Sequence, residues 1–370
     1  MQTFRRGDHG RAVAEIRYRL QDAGLLANGP AGPVYDEDVE RAVRTFQQQR
    51  GLMVDGVVGP STFRALDEAR WRLGDRLLHY QVTHPFVGDD VVTLQTRLME
   101  LGFDCGRCDG IFGPETGQAL RDFQRNVGLP GDGTFGPTTI RAMKQLRRSV
   151  TGGRATALRE HEALHRGGQS LTGKAIIVDP GHGGADGGWE VGELRERDLV
   201  YDIAARLEGR LAASGAYAFL TRSAEGNPDA ADRAAFANAA EANLYLALHL
   251  DGSHDVRARG VASYFFGSAT AEESHSSVGE RLANLVQHEI VARTDLLDCR
   301  THGKSWELLR RTRMPAVWVE FGYLTSPHDG ARLAEPGFRD TLAEALHAAV
   351  ARLYLPAEAD PGTGQLRLPA

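Results

Sequence analysis

The chain has 370 residues, 42% of them hydrophobic and 25% charged, with a formal net charge of -6. That length allows two or three domains with real cores, and the acidic balance gives no electrostatic case for nucleic acid as a partner. No stretch reaches the roughly 18 apolar residues of a membrane span.

The N-terminal "MQTFRRGDHGRAVAEIRYRL" has no apolar h-region, so no signal peptide is read there and the expected location is cytoplasmic. An internal repeat follows. "GRAVAEIRYRLQDAGL" from Gly10 aligns with "GDDVVTLQTRLMELGF" from Gly88. "AVRTFQQQRGLMVDGVVGPSTFRAL" from Ala42 aligns with "ALRDFQRNVGLPGDGTFGPTTIRAM" from Ala119. Val91, Leu94, Leu98 and Leu101 fall on one helix face. Each "DG-x-x-GP-x-T" supplies turn residues, then a Pro and a Thr suited to starting a helix. Residues 1–70 and 78–148 therefore read as two small all-α modules of about three helices each. The second keeps an extra "DGIFGPET" where the first has the divergent "GPVYDEDV". Cys105 and Cys108 form a C-x-x-C without a second pair at zinc-ribbon spacing, and three cysteines suggest no disulfide framework.

Residues 149–172 are Gly-, Arg- and Ser-rich and read as a linker. They contain "HEALH", His161 to His165, a literal H-E-x-x-H. That motif needs a stable helix and a third ligand downstream; here "RGG" follows at once, and Leu171 stands where a third histidine would be. It is expected to be a decoy.

From 173 to 355 the pattern changes. β-rich runs at 174–180, 216–222, 244–250, 260–266 and 316–322 alternate with helical stretches at 195–214, 229–241, 273–293 and 338–353. This predicts an α/β domain, a mixed sheet with helices on both faces, and then a tail over 356–370. Strand ends are where such sheets present side chains. His182 follows the first strand in "DPGHGG", His249 ends the third in "LALHLDG", and Glu196 opens the first long helix. Two imidazoles and a carboxylate suffice for a catalytic zinc site. Glu320 interrupts the apolar "AVWV-E-FGYL", where a buried carboxylate is costly unless it is paired or near a cation, and it is left to act as the base. Each residue alone also suits a structural role, the glutamate at a helix start included. Asp179 or Asp251 could orient a ligand imidazole.

Residues 173–354 resemble the zinc-dependent N-acetylmuramoyl-L-alanine amidases, the amidase type 3 family. The resemblance rests on "IIVDPGHGG-x-D", "E-x-DL-x-x-DIA-x-RL", "LTR", "R-x-x-x-AN", "LALH", "LLR-x-x-x-MP" and "VEFGYLTSP", in that order. The repeats resemble peptidoglycan-binding modules through "LQ-x-x-L-x-x-LG", "FQ" and "DG-x-x-G-x-x-T". The same residues equally suit turns and cores. The resemblance implies that His182, Glu196 and His249 hold Zn2+ and that Glu320 is the catalytic residue. Glu190 and Glu193 are the nearer alternatives for the middle ligand; Glu196 is preferred because it precedes "DL-x-x-DIA".

The implied reaction is hydrolysis of the amide between muramic acid and L-alanine, with glycan strands and stem peptides as partners. Export without a classical signal, or release by lysis, would bring such an enzyme to the wall. The alternative is a cytoplasmic regulatory or wall-precursor-binding protein on the same fold. One departure stands out: "HLDG" puts Leu250 and Asp251 after the second histidine, in an expected loop beside the metal.

Overall fold

The computed structural model describes residues 3–27, 32–146, 155–166, 168–267, 275–356 and 358–366, in two compact units. The first holds both repeats. Its helices are α1 (Arg11–Asp22), α2 (Glu37–Gln49) and α3 (Pro60–Ala69), then α4 (Asp89–Glu100), α5 (Pro114–Asn126) and α6 (Pro137–Gln145). Proline occupies the first turn of α3, α5 and α6, as the "GP" signals predict, since its missing N–H costs nothing there. Each repeat closes its own core, one around Ile16, Tyr35 and Phe46, the other around Leu94, Phe112 and Phe123.

The motif residues build these cores. Buried Gln124 donates to Asp132 Oδ1 (2.8 Å), Thr134 O (3.0 Å) and Thr139 Oγ1 (3.1 Å), and accepts from Gly133 N (2.9 Å). Gln47 does the same for Asp55, Val57, Thr62 and Gly56, and Gln95 for Asp109, Ile111, Thr116 and Gly110. One buried amide thus ties each "DG" turn to the helix behind it. In the divergent half-site of the first repeat Arg17 stands in for the glutamine and donates to Val34 O and Asp36. Cys105 and Cys108 lie buried as thiols, and their mutual hydrogen bond together with burial pushes the Cys105 thiol up, away from thiolate chemistry.

The expected linker is partly helical. Its residues 149–154 and 167, like 273–274 of the third predicted helix in the α/β region, lie outside the described residues. Then comes α7 (Ala155–Arg166), whose Leu164, with Leu171 beyond it, belongs to the core of the second unit. A single buried leucine per three turns is a weak periodic signal, which is why composition suggested a linker.

The second unit alternates strands and helices: β1 (Ala175–Pro180), β2 (Glu190–Val191), β3 (Leu194–Arg195), α8 (Glu196–Ala213), β4 (Tyr217–Leu220), α9 (Ala230–Ala239), β5 (Leu244–Asp251) and β6 (Val261–Phe266). It continues with α10 (Ser277–Arg293), β7 (Asp298–Lys304), α11 (Glu307–Arg311), β8 (Ala316–Tyr323), α12 (Pro327–Ala334) and α13 (Pro336–Tyr354). The strand order is β4-β1-β5-β8-β6-β7, parallel except for the antiparallel β8–β6 pair. It is the mixed sheet the alternating pattern predicts. One face packs on α8, α10 and α13, and the other on α9 and α11. Strand β7, "DCRTHGK", was not read from sequence because it is a polar edge strand with few apolar residues to signal it.

From β1 the chain crosses to β4 on one side and then to β5 on the other. The carboxyl ends of β1 and β5 therefore flank a topological switch point, where open α/β sheets form their clefts.

Candidate metal centre and active site

Strand alternation aims the site residues at one face. In β5, Leu244, Leu246, Leu248 and Leu250 enter the larger core, which leaves Tyr245, Ala247 and His249 on the opposite side. In β8, Val317, Val319 and Phe321 face the larger core, placing Trp318 and Glu320 with His249. His249 and Glu320 are register partners across the parallel β5–β8 pair.

His182, Glu196 and His249 converge. Their ligand atoms all lie within 4.8 Å of one another, and among the described residues they form the one such His/Cys/Asp/Glu group. Glu196 Oε1 lies 3.2 Å from His182 Nε2 and 3.1 Å from His249 Nδ1. The carboxylate also accepts from Leu250 N (2.9 Å) and Trp189 N (3.0 Å). Burial works against its ionisation, yet the two imidazoles hold the carboxyl down at about 2. Burial alone would lower His182, but Glu196 and Asp186 raise it to about 8, whereas the more deeply buried His249 is lowered by burial. A carboxylate shared by two imidazoles is a site organised for positive charge.

The imidazoles are held from outside the trio. Asp186 Oδ2 stands 2.9 Å from His182 Nδ1, so Nε2 is the nitrogen turned to Glu196. The Trp318 indole stacks flat on His249, centroids 3.6 Å apart and planes at 4°. Gly181 has no room for a side chain, because a Cβ there would stand 2.0 Å from His249 Cε1. Glu320 is half-buried, and Tyr264 Oη donates to its Oε2 at 2.8 Å. Burial, then the Asp251 charge, pushes Glu320 up to about 7 against the Tyr264 hydrogen bond.

Several expectations change. Neither Asp179 nor Asp251 touches an imidazole: Asp179 is taken up by Arg233 (2.5 Å) and Thr221, and Asp251 Oδ1 accepts from Gly252 N. Asp186 has the orienting place instead, four residues after His182. Leu250 and Asp251 are in β5 rather than a loop, and the Leu250 side chain is buried in the core behind the site. Glu190 and Glu193 are exposed, Glu190 facing Arg195 at 3.8 Å. His165 is exposed at the end of α7, and the HEALH pair joins no ligand group among the described residues. Trp318 could have been found from its i−2 relation to Glu320 on one strand face. Tyr264 could not, since its place depends on the β6–β8 pairing.

Comparison with known proteins agrees with this architecture. Residues 176–352 match the N-acetylmuramoyl-L-alanine amidase family model, and residues 9–66 and 87–143 match the putative peptidoglycan binding domain. The chain is similar to N-acetylmuramoyl-L-alanine amidase CwlM of Mycobacterium tuberculosis, 46% identical over 98% of this chain and 92% of that protein. It is also similar to the germination-specific N-acetylmuramoyl-L-alanine amidase of Bacillus subtilis, 28% identical over 52% of this chain and 84% of that one. Among solved structures, the amidase AmiC2 of Nostoc punctiforme is 28% identical, covering 48% of this chain and 96% of its own, with a TM-score of 0.44. No described helix is long and apolar enough to cross a membrane. With that similarity running nearly end to end over both the repeats and the α/β unit, the chain belongs to the N-acetylmuramoyl-L-alanine amidase family.

Proposed function

We propose that the chain hydrolyses the amide between N-acetylmuramic acid and the first L-alanine of the stem peptide. In this reading residues 173–355 form the catalytic domain, His182, Glu196 and His249 bind Zn2+, and Glu320 is the general base. Residues 1–70 and 78–148 are modules that hold glycan strands or stem peptides near it. The observation that carries the reading is the convergence of three metal-ligand side chains at a topological switch point, with a carboxylate of raised pKa next in the ladder.

The donor set fits zinc: two imidazole nitrogens and one carboxylate oxygen, the usual composition of a catalytic site with room for water. When bound there, zinc would supply a Lewis acid for the amide carbonyl and lower the pKa of a water molecule from about 15.7 to about 7. Glu196, held anionic, neutralises part of the cation's charge. Asp186 accepts from His182 Nδ1 and so presents Nε2 as the donor atom. Tyr264 fixes Oε2 of Glu320. With its carboxyl near 7, Glu320 suits both taking a proton from the attacking water and returning one to the leaving alanine amine.

The test is digestion of purified peptidoglycan by the full chain with and without a chelator, with zinc content measured in parallel. The chain is expected to release free stem peptides and to stop when zinc is removed. Glu320→Gln should lower turnover by about 10²- to 10⁴-fold while zinc stays bound. Zinc-loaded protein that releases no stem peptide would overturn the reading.

A further inference from the structure

Three consecutive carbonyl oxygens of the loop that carries His182 are held by two buried arginines. Arg222, just past β4, donates from Nε to Pro180 O (2.7 Å) and from Nη2 to Gly181 O (2.9 Å) and Arg197 O (3.0 Å). Arg233, in the first turns of α9, donates from Nη1 to Pro180 O (3.0 Å) and from Nη2 to His182 O (2.8 Å). These side chains are expensive to bury: Arg222 is 5% exposed and Arg233 7%. Arg233 has Asp179 opposite it, but the hydrogen bonds of Arg222 described here all go to backbone carbonyls, including Ser223 O and Ala224 O.

The loop they grip is strained. His182 has φ 57°, a left-handed conformation that persists in a non-glycine residue only where the surroundings over-determine it. Gly183 follows at φ 131°, where a Cβ would stand 2.1 Å from Gly226 O and 2.9 Å from Arg222 Cδ. A glycine is needed at 183 partly because Arg222 comes in so close. The guanidinium forks bond neighbouring carbonyls at fixed spacing, which a single ammonium cannot reproduce. Neither arginine hydrogen-bonds the side chain of Glu196, His249 or Glu320; on the His182 loop Arg222 holds Pro180 O and Gly181 O, and Arg233 holds Pro180 O and His182 O.

We propose that Arg222 and Arg233 are positioning residues that set the metal affinity of the centre, by holding the backbone from Pro180 to His182 in the one conformation that aims the imidazole at Glu196. The proposal rests on the reading of His182, Glu196 and His249 as metal ligands, and its test does not depend on turnover.

Arg222→Lys and Arg233→Lys, made in the full chain, keep the charge but lose the fork. Arg352→Lys serves as a matched control: its side chain is equally buried, and its partners Glu289, Asp360 and Thr363 are other side chains. Zinc affinity is read by competition with a chelating dye, geometry by the visible spectrum of the cobalt-substituted protein, and folding by thermal melting of the metal-free form. Both loop variants are expected to lose about 10- to 100-fold in zinc affinity, the usual effect of removing support behind a ligand, and to change the cobalt spectrum. Arg352→Lys is expected to keep both, even where its melting temperature falls as far. Wild-type affinity in both loop variants would overturn the proposal, and so would an equal loss in the control at equal melting temperature. Failure of the metal reading looks different: wild type and His182→Ala would then bind zinc equally weakly, and the clamp would have nothing to position.

Discussion

The smallest unit that decides chemistry is a side chain together with the neighbour that orients it. His182 is a ligand candidate because Asp186 holds Nδ1 and so assigns Nε2 to the centre. Asp186→Asn keeps the volume and loses the charge that favours this orientation. Zinc affinity is expected to fall about 10- to 100-fold, measured by dye competition, with the melting temperature of the metal-free protein little changed. His249 is held differently, by the flat Trp318 ring and by enclosure, so a carboxylate near it other than Glu196 is not required. Residue types and motifs marked the candidate ligands; their neighbours were visible only where they lie close in sequence, as Asp186 does.

At the scale of elements, the repeats depend on buried amides. Gln124→Ala would strand the Gly133 N–H and take one donor from Asp132, which keeps Thr134 N, and one from Thr139, at a cost of about 2 kcal/mol. Calorimetry of the full chain is expected to show the transition of the helical unit lowered and that of the α/β unit unmoved. Helices α8 and α13 carry a second device. His347 Nε2 lies 2.7 Å from Ser214 Oγ, and burial, with the Arg210 charge, holds the imidazole down at about 4. The unfolded chain, with its ordinary histidine pKa near 6.5, binds the proton first as pH falls. Stability from this group is therefore complete above about pH 6.5 and is lost as pH drops toward 4, by about 2–3 kcal/mol. Denaturant melts of His347→Gln should show a shallower loss across that window than wild type.

At the scale of the whole molecule, the two compact units have separate cores, and only the second holds the ligand trio. Zinc at a hundredfold excess over its Kd stabilises the form that binds it by about 2.7 kcal/mol. Adding zinc to metal-free protein is expected to raise the melting transition of the α/β unit and leave that of the repeats in place. A chelator should reverse the shift, as followed by calorimetry. The C-terminal tail belongs to the second unit too: Asp360 pairs with Arg352 at 2.6 Å, and Gly364 N donates to buried Glu289. Leu366 packs against that unit's core as well, but one leucine and polar contacts to distant helices leave no periodic trace in the sequence.

Sequence alone determined the elements whose signal is local. Repetition identified the modules, near-continuous apolar runs alternating with helical stretches identified the sheet, and glycine and proline placed the turns, since each follows from backbone sterics and from which face is buried. It also singled out His182, Glu196 and His249 as candidates through motifs resembling those of the amidase family, and Glu320 because a carboxylate in an apolar strand is costly without a partner. Tertiary structure decided what lies across a sheet or beneath a loop: Tyr264 on Glu320, Trp318 on His249, and Arg222 and Arg233 under the His182 loop. Those contacts join residues far apart in the chain, so only the closing of the sheet brings them together. The same closure leaves HEALH, the literal H-E-x-x-H, outside any candidate ligand group among the described residues, on a helix that anchors through Leu164.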